Sequence, residues 1–165
     1  MTLADLNATE RSQFVAAVGW IFEHSPWVAE RAWPRRPFAS AEALHEGMVA
    51  EVAAATDEER LALLQAHPDL GRRAKMSAAS EGEQAGAGLD SLTPAEFDRL
   101  QALNAAYRER FGFPFLFAVK GSTTHDVVEA LERRLPATIE QERAEALRQV
   151  SRIAWFRLQD ILSPK

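Results

Sequence analysis

The sequence predicts an all-α fold, a compact single-domain bundle of about seven to eight helices. Three observations support this prediction. Apolar residues recur at helical spacing, helix-start signals recur along the chain, and no run of alternating strands with hairpin turns occurs. The 165 residues suit one domain with one core, and we assign residues 1–165 to a single domain.

The first half of the chain contains three predicted helix starts. Asn7 and Glu10 have the spacing of a capping box, as do Thr56 and Glu59, and Ser40 is a further N-cap candidate. Each start precedes apolar residues at helical spacing, which we expect to face the core. These residues are Phe14, Val18, Ile21 and Phe22 in the first helix, Leu44, Met48 and Val52 in the second, and Leu61 and Leu64 in the third.

The second half is also predicted to be helical, apart from one apolar segment. Residues 113–119 are continuously apolar, and periodicity does not tell whether they are extended or form a helix turn, although Pro114 favours irregular backbone before it. Gly112 is expected to end the helix before this segment. Two further helices are predicted, one from about Thr124 to Leu135 and a long last helix that begins after Thr138 and reaches Leu162. Helix starts are predicted at Ser80 with Glu83, at Thr93 with Pro94 and Glu96, and at Thr138 with Gln141.

Composition and charge exclude several classes of function. The formal net charge of −5 argues against a nucleic-acid partner, which favours a basic surface. The absence of cysteine excludes a disulfide framework, a thiol nucleophile and thiolate metal sites. The four histidines do not form a metal-ligand motif, so no metal site is predicted. No apolar run approaches the ~20 residues of a membrane span, and no signal peptide is recognised. We therefore expect a cytoplasmic protein with no membrane partner.

His67 has the most restricted setting of the four histidines. Because Pro68 disfavours helical geometry at the residue before it, the helix that starts at Thr56 must end near His67. The partial negative charge at a helix C-terminus favours the imidazolium form, which a proton donor requires. His67 is therefore either a general acid or a histidine that stabilises a helix end, and its position alone favours the structural role.

Glu83 and Arg157 each allow a structural and a functional interpretation. Glu83 with Ser80 fits helix capping, which the sequence alone favours, but the same helix start could face a pocket and bind a polar ring. Arg157 falls within the apolar stripe of the last helix, where a buried guanidinium is costly. It must therefore reach solvent by snorkelling, pair with a carboxylate, or await an anionic ligand.

Three ordered motifs resemble one family closely. They are His67-Pro68-Asp69-Leu70-Gly71, then Ser80-x-x-Glu83-Gln84-x-x-Ala87-Gly88-Leu89, then Asn104-x-x-Tyr107-x-x-Arg110-Phe111-Gly112-Phe113-Pro114-Phe115. The chain resembles the 2-oxo-4-hydroxy-4-carboxy-5-ureidoimidazoline (OHCU) decarboxylases, which act last in the route from urate to allantoin. The resemblance reaches back to Glu23-x-Ser25-Pro26-Trp27 and forward to Ile153-Ala154-x-x-Arg157-Leu158. One departure, Pro136-Ala137 where the family often has Asn at the second position, concerns a helix connection.

The resemblance implies an all-α, cofactor-independent lyase that is usually a homodimer and acts on a small-molecule substrate. It implies that His67 is the catalytic acid that protonates the ring, giving S-allantoin and CO2, and that Glu83 works beside it. Two alternatives remain, a non-catalytic helical interaction domain and an enzyme that acts on another ureido or purine-like ring. The implied substrate-binding residues are Pro68, Ser80, Glu81, Gly82, Gln84, Phe115, Leu116, Phe117, Ala118, Val119 and Arg157.

Overall fold

The computed structural model describes residues 1–71 and 77–163. Within these ranges the chain forms nine α-helices and two 3₁₀ helices, and no β-strand is present there. The predicted all-α fold class is confirmed. The α-helices are α1 (Leu3–Ala8), α2 (Arg11–Val18), α3 (Trp27–Ala32), α4 (Ala41–Ala54), α5 (Asp57–Gln65), α6 (Ala78–Gly86), α7 (Pro94–Phe111), α8 (Thr124–Arg134) and α9 (Ile139–Leu162), and the 3₁₀ helices are Gly19–Ile21 and Trp33–Arg35.

The N-terminal helix differs from its prediction. The capping box expected at Asn7 and Glu10 is wrong, because Thr2 and Asp5 form the capping box of the additional short helix α1. Asn7 lies inside α1 and bonds both backbone groups of Phe38: its Nδ2 donates to the carbonyl at 2.9 Å, and its Oδ1 accepts from the amide at 2.7 Å. The asparagine side chain therefore makes tertiary contacts instead of a local cap.

The other predicted helix boundaries agree with the structure, except at α6 and at the end of the first predicted helix. The first predicted helix includes Ile21 and Phe22, but α2 ends at Val18 and is followed by the 3₁₀ helix Gly19–Ile21. Gly112 ends α7 in the left-handed region at φ 81°, where glycine carries no steric cost. The helix predicted from about Thr124 to Leu135 is α8. The N-caps that are confirmed are Ser40 of α4, Thr56 with Glu59 of α5, Thr93 with Glu96 of α7, and Thr138 with Gln141 of α9.

The chain divides into two compact units. Unit 1 comprises Met1–Ala66 and the C-terminal part of the chain from Ser151. Its helices α3 and α4 pack together, and the predicted core residues Phe14, Leu44 and Met48 are fully buried. None of the described helices has the length and apolar character needed to span a membrane.

Unit 2 comprises His67–Val150 and has an aromatic core around Tyr107. The ring of Tyr107 lies 4.5 Å from that of Phe111, 6.0 Å from that of Phe113 and 5.4 Å from that of Phe115, measured between centroids. These spacings suit tilted and edge-on aromatic contacts. Residues 114–119 belong to no helix or strand. The apolar segment, which periodicity left open, is thus irregular backbone buried in this core.

Candidate active site

Unit 2 brings the three sequence motifs into contact at the loop formed by residues 67–71. Asn104 of α7 donates from Nδ2 to the Leu70 carbonyl at 2.8 Å. Gln84 of α6 accepts the Gly71 N–H at its Oε1, also at 2.8 Å. Each of these bonds is buried, so the loop is held by side chains of two different helices. The 67–71 loop therefore has one defined position relative to α6 and α7.

His67 begins this loop and is 5% exposed. Helix α5 ends at Gln65 and Ala66 is its C-cap, so the prediction that the helix stops near His67 is confirmed. Pro68 follows as a half-buried residue. Arg108 of α7 contacts the same loop, with its Nη2 2.9 Å from the Asp69 carboxylate. His67 is thus a buried residue that closely precedes the anchored residues 69–71.

The first turn of α6 corrects the interpretation of Ser80 and Glu83. The N-cap is Ser77, whose hydroxyl accepts the Ser80 N–H at 3.2 Å. The predicted capping box of Ser80 and Glu83 is wrong, because the helix begins at Ala78 and both residues lie within it. Capping therefore does not account for Glu83, and the structural interpretation that the sequence favoured loses its basis.

The faces of α6 separate the predicted binding residues into two groups. Ser80 and Gln84, one turn apart, are 5% and 6% exposed, and Glu83 beside them is half-buried. Glu81 and Gly82 are exposed. A ligand in the interior of unit 2 could reach Ser80, Glu83 and Gln84, whereas Glu81 and Gly82 do not share that face.

Two buried side chains fix the backbone of the 113–119 segment. Arg134 of α8 donates from Nη1 to the Leu116 carbonyl at 2.6 Å, and Gln149 of α9 accepts the Ala118 N–H at 2.9 Å. Phe115 and Phe117 stack with ring centroids 6.0 Å apart. Of the five predicted binding residues here, Phe117 is half-buried and the others, including Val119, are buried.

Arg134 also belongs to a polar network that the sequence did not predict. Its Nε lies 2.8 Å from Oε1 of Glu142, and the Tyr107 hydroxyl donates to the same oxygen at 2.5 Å. Burial first, and then the hydrogen bond to Glu142, raise the pKa of Tyr107 well above its usual range. Glu142 could have been found by its spacing, since Ala146 and Val150 continue the same buried stripe of α9 at intervals of four residues.

Arg157 belongs to unit 1 and is 3% exposed. Its Nη2 lies 2.8 Å from Oε2 of Glu23, which is itself 2% exposed. Of the three interpretations of Arg157, pairing with a carboxylate is confirmed and snorkelling into solvent is wrong. The sequence did not name Glu23 as a site residue, although Glu23 opens the motif that ends at Trp27. Among the described residues, no group of three or more His, Asp or Glu side chains is arranged to hold a metal ion.

Comparison with known proteins assigns the family. A family model described as OHCU decarboxylase matches residues 7–159. The chain belongs to the OHCU decarboxylase family. The family that the three motifs resemble is therefore the correct one.

Relatives of similar length carry the same activity in their names. A 2-oxo-4-hydroxy-4-carboxy-5-ureidoimidazoline decarboxylase of Haloferax volcanii is 47% identical over 163 residues, covering 99% of this chain and 97% of the relative. One of Halalkalicoccus jeotgali is 43% identical over 165 residues, covering 100% of this chain and 94% of the relative. A crystal structure of (S)-allantoin synthase matches with a TM-score of 0.81 and 36% identity, covering 98% of this chain and 54% of that one.

Proposed function

We propose that this protein decarboxylates OHCU to S-allantoin and CO2 during the degradation of urate, with His67 as the proton donor and Glu83 beside it. Membership of the OHCU decarboxylase family makes the protein a carboxy-lyase. The observation that supports the assignment of residues is the anchoring of the 67–71 loop by Gln84 and Asn104. It holds the histidine motif against α6, the helix that carries Glu83.

The substrate can be decarboxylated without an added electron sink. When the bond between the ring and its carboxyl group breaks, CO2 leaves its bonding electron pair on the ring. The conjugated ring can take up this pair as an enolate-like species, a task that most decarboxylases give to a cofactor. A proton must then reach the ring carbon that bears the ureido group. We therefore propose a cofactor-independent reaction in which the face that is protonated fixes the configuration of allantoin.

His67 is the proposed source of that proton, because it is the only histidine of the three motifs and lies in the anchored loop. Glu83 orients the ureido or hydroxyl group and tunes His67. Arg157 and backbone N–H groups of the 113–119 segment stabilise the anionic oxygens of the ring. Pro68, Ser80 and Gln84 contact the substrate, and Phe115 and Phe117 form an apolar wall that disfavours the charged carboxylate.

We propose three further features, the first from the family resemblance and the other two from composition, charge and the absence of a long apolar run. We expect a homodimer, a cytoplasmic location, and no nucleic-acid or membrane partner. The alternative of a non-catalytic helical interaction domain has lost its support, because relatives over 40% identical are named as enzymes. No observation favours a different ureido ring over OHCU.

Replacement of His67 tests the proposed chemistry. His67→Ala should reduce kcat for S-allantoin formation by about 10²- to 10⁴-fold, the range that general acid catalysis contributes, while the helical circular dichroism spectrum stays unchanged. The measurement is time-resolved circular dichroism of allantoin formed from freshly generated OHCU, since an uncatalysed reaction gives no optical activity. His125→Ala, which removes a side chain that is 85% exposed, is the matched control and should keep the full rate. A His67→Ala protein with the full rate would exclude this histidine as the proton donor.

A further inference from the structure

Glu23 is a buried carboxylate of unit 1 for which the proposed chemistry has no direct use. We propose that Glu23 is a positioning residue that fixes the guanidinium of Arg157 in the orientation in which it binds the anionic substrate. The inference rests on the proposed substrate contact of Arg157. It assigns to Glu23 a role in substrate affinity in addition to any role in folding.

A tight turn holds Glu23 in place before any contact with Arg157 is considered. The Ser25 hydroxyl donates to the Glu23 carbonyl at 2.9 Å, and the Ser25 N–H donates to the Phe22 carbonyl at 3.0 Å. His24, which lies between Glu23 and Ser25, adopts a φ of 46°, in the left-handed region that non-glycine residues rarely enter. Such a conformation persists where the surrounding bonds determine it. The backbone that carries the carboxylate is therefore rigidly defined.

The Arg157 guanidinium lies closer to this carboxylate than to two backbone carbonyls that it also contacts. The Nη2–Oε2 distance to Glu23 is 2.8 Å, whereas Nη1 lies 3.3 Å from the Trp20 carbonyl and 3.4 Å from the Ile21 carbonyl. Charge-assisted hydrogen bonds at the shorter distance are about twice as strong as neutral ones. Glu23 thus sets the direction of Nη2, and the two carbonyls of the 3₁₀ helix align the other amino group.

Orientation matters because guanidinium is a planar group with its donors in a fixed fork. Once the direction of Nη2 is fixed, the plane of the group and the directions of its other N–H bonds follow. The side chain of an arginine ordered in this way is already fixed before the substrate binds. Binding therefore costs no further side-chain entropy at this residue, which favours affinity. The Arg35–Glu51 pair of the same unit lacks this property, because its arginine side chain is 45% exposed despite an N–O distance of 2.9 Å.

Two conservative variants distinguish orientation of the Arg157 guanidinium by Glu23 from neutralisation of its charge. Glu23→Gln keeps an oxygen at the same distance along the side chain but loses the charge. Glu23→Asp keeps the charge but draws the carboxylate back by one methylene. If Glu23 positions Arg157, Glu23→Asp should raise KM about tenfold, the loss of roughly one charge-assisted hydrogen bond, with a smaller change in kcat. Glu23→Gln should keep KM within about threefold of the wild-type value, as expected where an acceptor is retained.

The experiment measures kcat and KM by circular dichroism, together with the unfolding temperature of each protein. The proteins compared are both Glu23 variants, Arg157→Ala, and the Glu23→Asp/Arg157→Ala double variant. The double variant should have the KM of Arg157→Ala alone, because positioning acts only through the arginine. Val52→Ala, a core change in α4 of the same unit, is the control for lost stability and should not alter KM.

If Arg157→Ala raises KM but folded Glu23→Asp retains the wild-type KM, the positioning role is overturned and the substrate contact stands. If Arg157→Ala leaves KM unchanged, the substrate contact itself fails, and the role of Glu23 fails with it.

Discussion

Two buried ion pairs show how individual residues reconcile charge with an apolar helix face. Helix α9 carries Glu142 and Arg157 among buried apolar residues. Each finds an opposite charge elsewhere in its own unit: Arg134 for Glu142 and Glu23 for Arg157. A buried charge without a partner would cost several kcal/mol, about 3–5 when one partner of a pair is removed. Removing either member of a pair should therefore destabilise the fold by about that amount.

Tyr107 adds a hydroxyl to one of these pairs, and it is the only tyrosine in the chain. Because burial and Glu142 raise its pKa above the usual 10.0, the folded protein keeps the phenol protonated where an unfolded chain ionises it. The contribution of Tyr107 to stability is therefore complete below pH 10 and declines as the pH rises further. The decline should reach about 1.4 kcal/mol per pH unit. Absorbance of the phenolate, measured in the folded protein and in urea, should show ionisation near pH 10 only in urea.

Tyr107→Phe separates this effect from other alkaline titrations. Removing the hydroxyl deprives Glu142 of one donor and should cost about 1–3 kcal/mol at neutral pH. Above pH 10 the variant should lose stability less steeply than the wild type, because it has no phenol to ionise. Urea unfolding of both proteins at neutral and alkaline pH provides the comparison. Equal alkaline slopes, or a phenolate signal near pH 10 in the folded protein, would contradict the raised pKa.

At the scale of helices, the sequence correctly predicted those N-caps that depend only on residues close together in the chain. The capping boxes at Thr56 and Thr93 are confirmed because both partners lie within one turn of the same helix. Asn7 has the same local pattern, but its side chain bonds Phe38, 31 residues away. Ser80 was misassigned because Ser77, also able to cap, lies three residues before it. Apart from the short α1, the existence of the helices followed from the sequence. The choice between alternative hydrogen-bond partners did not.

The same distinction applies to the candidate site. The motifs of His67 and Glu83 could be located from the sequence, and the irregular 113–119 segment could be marked as apolar. The arrangement of that segment depends on Arg134 and Gln149, and the Gln149 bond to Ala118 spans 31 residues. Such long-range contacts produce no recognisable pattern in the sequence around the residues that they position. Glu23, which pairs with Arg157 across 134 residues, was missed as a site residue for the same reason.

Two glycines of α6 test whether this helix approaches the substrate. A Cβ at either Gly82 or Gly86 would meet no described atom within 4 Å apart from the adjacent residues and the nearby backbone of α6 itself. Alanine at either position should therefore stabilise the protein by up to about 1 kcal/mol through helix propensity, more so at Gly82, which lies further from the helix end. The family resemblance implies that Gly82 binds substrate, whereas its exposed face of α6 lies away from Ser80 and Gln84. If the resemblance is right at this position, Gly82→Ala should raise KM by about threefold or more.

Gly86→Ala is the matched control, because it adds the same methyl group to the last residue of the same helix. Its KM should equal that of the wild type. Thermal unfolding and steady-state kinetics of the two variants suffice for the comparison. An unchanged KM in Gly82→Ala would remove Gly82 from the predicted site, in agreement with its exposed position, and would leave the assignments of Ser80 and Glu83 unaffected.

At the scale of the whole molecule, the chain crosses between the two units twice. It passes from unit 1 to unit 2 between Ala66 and His67, and returns at Ser151 within α9. Unit 1 is therefore built from both ends of the sequence. Helix α9 continues without a break from Ile139 to Leu162 and supplies Val150 to one core and Leu158 to the other. Because one helix contributes to both cores, we expect loss of either unit to destabilise the helix needed by the other.

This continuity predicts that the protein unfolds as one cooperative domain, and the chain contains a natural reporter for each unit. Its four tryptophans, Trp20, Trp27, Trp33 and Trp155, all lie in unit 1, and Tyr107 lies in unit 2. Urea unfolding followed by tryptophan fluorescence and by second-derivative absorbance of tyrosine should give the same midpoint and the same slope, since coincident transitions are the mark of a two-state process. Tyr107→Phe identifies the part of the absorbance signal that belongs to unit 2. Two separated midpoints would mean that α9 does not couple the units and that the sequence encodes two domains.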